Sequence, residues 1–395
     1  MKKRNTKSRR EFIQTGLKAG IVLPFASSIL YSCLSKTDEK STSQVSSTKK
    51  LKILILGGTS FLGPHQIAYA INRGHSVTTF TRGKTKPSIY KDVFSKVEQL
   101  IGDRKDNLTA LENRSWDVVI DNSGHRAEWT KRSAELLKNS CDLYLYTSST
   151  GVYYPYINSE FKESSKVVMT VPEIVTEDEK LEYDYGVMKA NSEQEAIKQF
   201  GIDRTIVVRP TYMIGPADKT NRSVHWPVRL EKGGEVLVPG KEDDAVQYVD
   251  VRDVAEWMIR LLEEKKIGTY NAVGPKTAQN IKEFIIEAQK TFPVDATYVH
   301  IDDYNFLQKH DIYYIVPWIV PSGNNAGTAK INNTKAMKNG LTLRPVQTSL
   351  KDILNWWKSD AVSQKRRDDF ETNPNSLLQR EKAIIEEWKN RVMNS

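Results

Sequence analysis

A doubly wound α/β fold, a parallel sheet covered by helices on both faces, is what this sequence predicts. Three observations carry the prediction. A short apolar run, Leu51-Lys-Ile-Leu-Ile-Leu56, ends in glycines at Gly57-Gly58 and opens onto a helical pattern. Strand-like and helix-like segments then alternate as far as Arg209-Pro210, which implies parallel pairing through right-handed crossovers. Tyr185 and Lys189 stand four residues apart on one face of a late helix.

The elements follow in order. Lys52–Leu56 reads as the first strand, and Pro64–Arg73 as a helix stopped by Gly74. Ser76–Thr81 is the second strand. Val97–Ile101 is a short third one, running into Gly102-Asp103-Arg104. Asp117–Asp121, preceded by Trp116, is the fourth strand. Glu128–Asn139 reads as a helix and Leu143–Tyr146 as the fifth strand. Tyr185–Gln199 is expected to be helical, and Thr205–Val208 to be the sixth strand. Beyond Ile214-Gly215-Pro216 the pattern loosens. Val246–Val251 and Gly268–Ala272 are expected to rejoin the sheet as late strands, with amphipathic Asp253–Glu264 packed on it. Ile281–Lys290, Leu350–Trp357 and the charged stretch Ser376–Val392 read as helices of a smaller mixed lobe. The expected division is a Rossmann domain at 51–220, rejoined by 245–275, and a substrate lobe from 221–244 and 276–395.

Residues 1–33 read as an address and not as part of the fold. Lys2, Lys3, Arg4 and Lys7 precede Ser8-Arg9-Arg10-Glu11-Phe12-Ile13, a twin-arginine pattern, and an apolar stretch follows from about Ile21 to Tyr31. That stretch is roughly half the ~20 residues a membrane span needs, so it reads as a signal core, with a buried first helix as the competing reading. Leu30-Tyr31-Ser32-Cys33 resembles a lipobox, with an ordinary cleavage site as the alternative. Residues 34–50, rich in Ser, Thr and Lys, read as a flexible tether. The expected location is therefore periplasmic, with membrane contact only through a lipid on Cys33.

The leader also accounts for most of the charge. It carries seven Lys/Arg and one Glu, so +3 of the chain's +9 remains once its +6 is set aside. A nucleic-acid partner loses its main support. With Cys33 in the leader, Cys141 is alone and no internal disulfide is expected. No Cys/His cluster has zinc-ligand spacing, so no metal is expected.

Three constellations carry chemistry. In Gly57-Gly58-Thr59-Ser60-Phe61-Leu62-Gly63, Gly57 lets the chain turn sharply after the strand. Backbone amides at the helix start then face a pyrophosphate, and Gly63 permits close helix–sheet packing. At the end of the second strand an NAD enzyme usually carries an acid for the ribose 2′-hydroxyl. Here the run is Phe80-Thr81-Arg82-Gly83-Lys84, and Arg82 and Lys84 can instead pair with a 2′-phosphate. That leans toward NADP, against the plainer reading of two solvated loop residues. The fifth strand ends in Thr147-Ser148-Ser149-Thr150, where a serine can donate to a substrate oxygen. A lysine ammonium beside a phenol favours the phenolate, so a Tyr/Lys pair on one helix face suits proton exchange at a carbinol. For substrate contact, Arg222 offers a fork for carboxylate or phosphate and Trp226 a stacking face. Packing at the lobe boundary explains both residues equally well.

These motifs resemble the extended short-chain dehydrogenase/reductase superfamily, the NAD-dependent epimerase/dehydratase group. The resemblance runs from about Leu51 to Trp357. Its marks are the glycine loop, Gly102-Asp103, Ser148-Ser149-Thr150-Gly151-Val152-Tyr153, Tyr185-Gly186-Val187-Met188-Lys189, Arg209-Pro210 and Gln247-Tyr-Val-Asp-Val-Arg-Asp253. It implies Ser149 as the catalytic Ser/Thr, Tyr185 as acid/base, and Lys189 as the lysine on the nicotinamide ribose. It implies Asp103 and Arg104 near adenine, and Asn122 along the cofactor's path. Two departures stand out. Ser60 replaces the middle loop glycine, and the acid after the second strand is missing. Both occur in a subset similar to chloroplast stem-loop RNA-binding proteins. The Tyr/Lys pair is kept here, which favours an enzyme.

The leader and the chemistry constrain each other. Twin-arginine export moves folded proteins, and no supply of NAD(P)H is expected outside the cytoplasm. A retained NAD(P) and a net redox-neutral reaction on a sugar or glycoside hydroxyl meet both conditions. A reductase of a small carbonyl compound and a non-catalytic polysaccharide- or RNA-binding protein are the alternatives.

Overall fold

The computed structural model describes residues 49–394; the expected leader, lipobox and most of the tether lie outside the described residues. Seven strands form one parallel sheet. They are β1 (Lys52–Leu56), β2 (Ser76–Thr81), β3 (Glu98–Ile101), β4 (Trp116–Asp121), β5 (Cys141–Thr147), β6 (Thr205–Pro210) and the edge strand Gly268–Ala272. From that edge inward the order is Gly268–Ala272, β6, β5, β4, β1, β2, β3. The order reverses at β1, where a crevice opens at the strand carboxyl ends.

The period of two along β1 builds the layers. Ile53 and Ile55 face a core with Ile67 and Trp257, while Leu54 and Leu56 face Ala134 and Phe200. All four are fully buried, each stabilising by about 1.5–3 kcal/mol. The first face is covered by α1 (Leu62–Asn72), the second by α2 (Ala127–Leu137) and α3 (Glu177–Phe200). Two further helices in chain order are α4 (His225–Leu230) and α5 (Val251–Glu263), the latter packed on α1.

Two expectations are corrected. Val246–Val251 does not rejoin the sheet. Only Val249–Asp250 is extended, and it pairs with Met213–Ile214 away from the main sheet. Asp250 instead caps α5, its carboxylate accepting from the Arg252 amide at 2.8 Å. The helix expected from Tyr185 begins eight residues earlier, at Glu177. A reciprocal capping box starts it: Thr176 Oγ1 accepts from the Glu179 amide, and Glu179 accepts from the Thr176 amide at 2.8 Å. Gly268–Ala272 does join the sheet, in register with β6.

The C-terminal residues build a second core around Trp226, Trp318, Trp357 and Phe284. A parallel strand pair, Gly234–Pro239 with Ala296–Ile301, lies beside it. The helices Val346–Lys358, Gln364–Glu371 and Leu377–Met393 close it. A buried Arg229–Glu381 pair ties the last of these to α4.

Candidate functional site

The carboxyl ends of β1, β2, β4 and β5 open into one cavity of about 690 Å³. The loop from Gly57 to Leu62 forms one wall. Gly57 and Gly58 adopt φ of +103° and +100°, a region closed to most side chains. A Cβ on Gly63 would lie 2.3 Å from Gly58 Cα, so the helix start is pressed against its own loop rather than against the sheet. Phe61, the residue before α1, has φ +44° and makes no side-chain cap. The first-turn amides of α1 therefore have no side-chain acceptor from the capping residue, which suits them to an anion. Gly63→Ala is expected to cost about 1–3 kcal/mol through overpacking and to weaken dinucleotide binding, read by urea unfolding and by titration.

The wall opposite comes from β5 and α3. Ser149, Tyr185 and Lys189 all line the same cavity as the glycine loop. Gly151 brings them together, since a Cβ there would lie 2.9 Å from Tyr185 Cε1 and 3.3 Å from Ser149 Oγ. Ser149 Oγ accepts from the Gly151 amide at 3.0 Å, and no acceptor for its own proton is found among the described residues. Its neighbour Ser148 instead donates to buried Glu193, which is paired with Arg209. Thr147 Oγ1 donates to Asn122 Oδ1 at 2.7 Å. Ser149 is thus the hydroxyl of this run left to a ligand.

Lys189 is buried and donates from Nζ to the Thr147 carbonyl at 2.9 Å. Burial disfavours its ammonium, yet the Tyr146 and Tyr185 phenols and Asp121 outweigh that and raise its pKa. It stays a cation at the foot of the cavity. The competing tyrosines are engaged elsewhere. Tyr153 donates to Asn271 Oδ1 at 2.8 Å and accepts from Arg209, and Tyr183 packs edge-on against Tyr154 at 4.8 Å.

The other expected residues divide. Arg82 and Lys84 line the cavity beside the end of β2, are exposed, and have no acidic partner among the described residues. Asp103 also lines it. Arg104 does too, but its guanidinium is committed to Asp121 through a bidentate pair at 2.5 and 2.9 Å and to Ser123 and Ser133. Only its Nε lacks a partner among the described residues. Asn122 is a cross-link, donating to Gln66 Oε1 at 2.6 Å while accepting from Thr147. Arg222 reaches the cavity. Trp226 does not: it is 1% exposed and packs edge-on against Phe284 in the C-terminal core, because every residue of α4 is buried. Lys219 lines the cavity and was not anticipated, although it lies three residues before Arg222. Nothing in its neighbourhood in the sequence distinguishes it from a solvated lysine.

These residues fit a dinucleotide. A turn closed to side chains faces uncapped helix amides, and the same cavity holds a buried lysine and a half-buried tyrosine. Residues 53–273 match the NAD dependent epimerase/dehydratase family. The chain belongs to that family. It is also similar to the chloroplast stem-loop binding protein of 41 kDa b of Arabidopsis thaliana, 30% identical over 247 residues, or 59% of this chain and 61% of the relative. This epimerase/dehydratase-family chain thus matches less than two thirds of that relative's length. Among solved structures it shares its fold with the Bordetella bronchiseptica enzyme WbmG in complex with NAD and UDP, with a TM-score of 0.57 at 14% identity over 80% of this chain and 97% of that one. MoeE5 in complex with UDP-glucuronic acid and NAD gives a TM-score of 0.51 at 16% identity, over 77% and 98% of the two chains. A UDP-galactose 4-epimerase gives 0.52 at 16% identity, over 77% and 99%.

Proposed function

We propose that this family member oxidises a sugar or glycoside hydroxyl to a transient ketone and reduces it again while the dinucleotide stays bound. The observation that carries the reading is the single cavity that holds both the glycine loop and the Ser149, Tyr185 and Lys189 side chains. WbmG and MoeE5, solved with NAD and with UDP or a UDP-sugar, support it by their likeness in fold.

When bound, the nicotinamide supplies a two-electron acceptor and donor for the carbinol carbon. The chain's own groups handle the proton and the oxygen. Tyr185 takes the hydroxyl proton and returns it when the ketone is reduced. Ser149 donates to the substrate oxygen as negative charge develops there. The buried Lys189 cation stabilises the phenolate that this exchange requires.

The redox-neutral cycle also suits the export signal read in residues 1–33. An exported protein keeps the cofactor it folded with, and needs no external NAD(P)H. The deciding experiment is to purify the protein without added cofactor, denature it, and identify any released dinucleotide by mass. Stoichiometric NAD or NADP is the expected result. A dinucleotide that exchanges within seconds on dialysis points instead to a dissociating reductase. Protein that is empty and binds neither dinucleotide overturns the oxidoreductase reading.

We propose NADP as the preferred form, because Arg82 and Lys84 have no acidic partner among the described residues and stand where an acid would meet a 2′-hydroxyl. Replacing both with Met is expected to weaken NADP+ binding roughly 10- to 100-fold, the worth of charge-assisted hydrogen bonds. NAD+ binding should stay within a few-fold. Calorimetric titration of both dinucleotides checks this, and equal losses for both would remove the preference.

A further inference from the structure

We infer that residues 217–222 form a clamp that closes over the diphosphate of the bound dinucleotide, with Arg222 as its cation and Arg366 as its anchor. This rests on the dinucleotide reading above and reassigns Arg222 from substrate to cofactor.

Arg222 lines the same cavity as the glycine loop, and its guanidinium carbon lies 5.9 Å from the centroid of the Phe61 ring. Phe61 is the residue from which α1 starts. The guanidinium therefore stands beside the ring of the residue that opens α1, in the cavity that the glycine loop also lines. A diphosphate there meets amide dipoles from one side and a planar cation from the other. Lys219, from the same loop, adds a second cation to this cavity. Burial and the Arg366 charge lower its pKa, and no acidic partner is found for it among the described residues.

The loop is built to hold these cations in place. Ala217 adopts φ of +72°, a region costly for a residue with a Cβ, and Asn221 +59°, which asparagine tolerates. Asp218 is buried and organises the interior of the loop. Its Oδ1 accepts from the Thr220 amide and hydroxyl at 2.9 and 2.7 Å, and its Oδ2 lies 3.1 Å from Arg222 Nε. Thr220 Oγ1 accepts from Arg222 Nε at 2.8 Å. Arg366, on the helix Gln364–Glu371, then fixes the loop from behind. Its Nε donates to Asn221 Oδ1 at 2.9 Å and its Nη2 to the Asp218 carbonyl at 2.6 Å. The Arg366 guanidinium is itself seated against Trp356 and Trp357, at 5.3 and 5.6 Å from their centroids. The anchor lies outside the 53–273 segment that defines the family. The C-terminal helices thereby acquire a role in cofactor retention, and Arg366 is a positioning residue.

The test measures dissociation constants and release half-lives of NAD+ and NADP+, by quenching of tryptophan fluorescence, for the full chain freed of cofactor and for variants. Arg222→Met is expected to weaken both dinucleotides roughly 10-fold or more, the worth of a charge-assisted contact. The effect should shrink as salt is raised. It differs in kind from the Arg82/Lys84 change, which touches NADP+ alone. Arg366→Met should shorten the release half-life of both dinucleotides. Lys365→Met, on the same helix with an exposed side chain, should leave both values unchanged. Arg222→Lys retains the charge without the planar fork and should fall between wild type and Arg222→Met. It serves as the second variant should Arg222→Met not fold, folding being judged by circular dichroism. Wild-type protein that binds while Arg222→Met binds equally well overturns the clamp and leaves the proposed function standing. Wild-type protein that binds neither dinucleotide overturns both.

Discussion

Tyr185→Phe is expected to lower turnover by roughly 10²–10⁴-fold, the usual worth of a positioned general acid or base. Dinucleotide affinity should stay within a few-fold of wild type. The separation follows from how the ring is seated. Its Cε1 lies 2.9 Å from where a Gly151 Cβ would stand, and Gly186 on the same helix packs against the Gly151 carbonyl. The backbone of residues 149–151 thus fixes the ring whether or not it carries a hydroxyl. Phenylalanine keeps that seat and removes only the oxygen to which the proposed mechanism gives the proton exchange. Lys189 is a poorer probe, because its Nζ also holds the Thr147 carbonyl and its loss would disturb the end of β5. Single-turnover measurement with dinucleotide supplied in excess reads the effect directly. A Tyr185→Phe protein with undiminished activity would remove the phenol from the mechanism and bring a non-catalytic binding role forward.

The sheet was legible because its signals are local. Ile53, Leu54, Ile55 and Leu56 read as a strand buried on both faces, and they pack in alternation into two separate cores. The glycine loop was legible for the same reason, since strand, turn and helix are contiguous. Tyr185 and Lys189 needed only helical spacing. The start of α3 was written in the sequence as Thr176 with Glu179, a capping box, but the acidic first turn carries no apolar periodicity to mark a helix. Trp226 was illegible for a different reason. A Trp four residues after an Arg suits a ligand site and a core equally, and the choice is made by Phe284 and other residues of the C-terminal core, far away in the chain. The tie from Arg366 to Asn221 spans 145 residues, and no local pattern encodes it. Arg104 lies between these cases: its place in the cavity lining was readable, and its partner, 17 residues on, was not.

That partner makes Arg104→Met the substitution with the largest expected cost in stability, about 3–5 kcal/mol, the range for stranding one member of a buried ion pair. Asp121 is 0% exposed and Arg104 6%. Burial pushes the Asp121 carboxyl up, but the Arg104 charge and its two hydrogen bonds, with help from Tyr144, hold it below the ordinary carboxylate range. A folded-state pKa below the unfolded one contributes stability above about pH 4, which is lost as pH falls through the folded value. Arg104→Met reverses the sign. Burial remains and the counter-charge is gone, so the Asp121 pKa rises above its unfolded value. A raised pKa favours the fold only at low pH and disfavours it increasingly as pH rises. The deficit relative to wild type should therefore be largest near neutral pH and should shrink toward pH 5. Urea unfolding of both proteins at pH 7.5 and pH 5 reads this difference. If Arg104 served the cofactor alone, the cofactor-free proteins would be equally stable at both values and only dinucleotide affinity would fall. The two roles thus leave different signatures. The expected one is a pH-dependent loss of stability, with a further loss of affinity to the extent that Arg104 Nε meets the ligand.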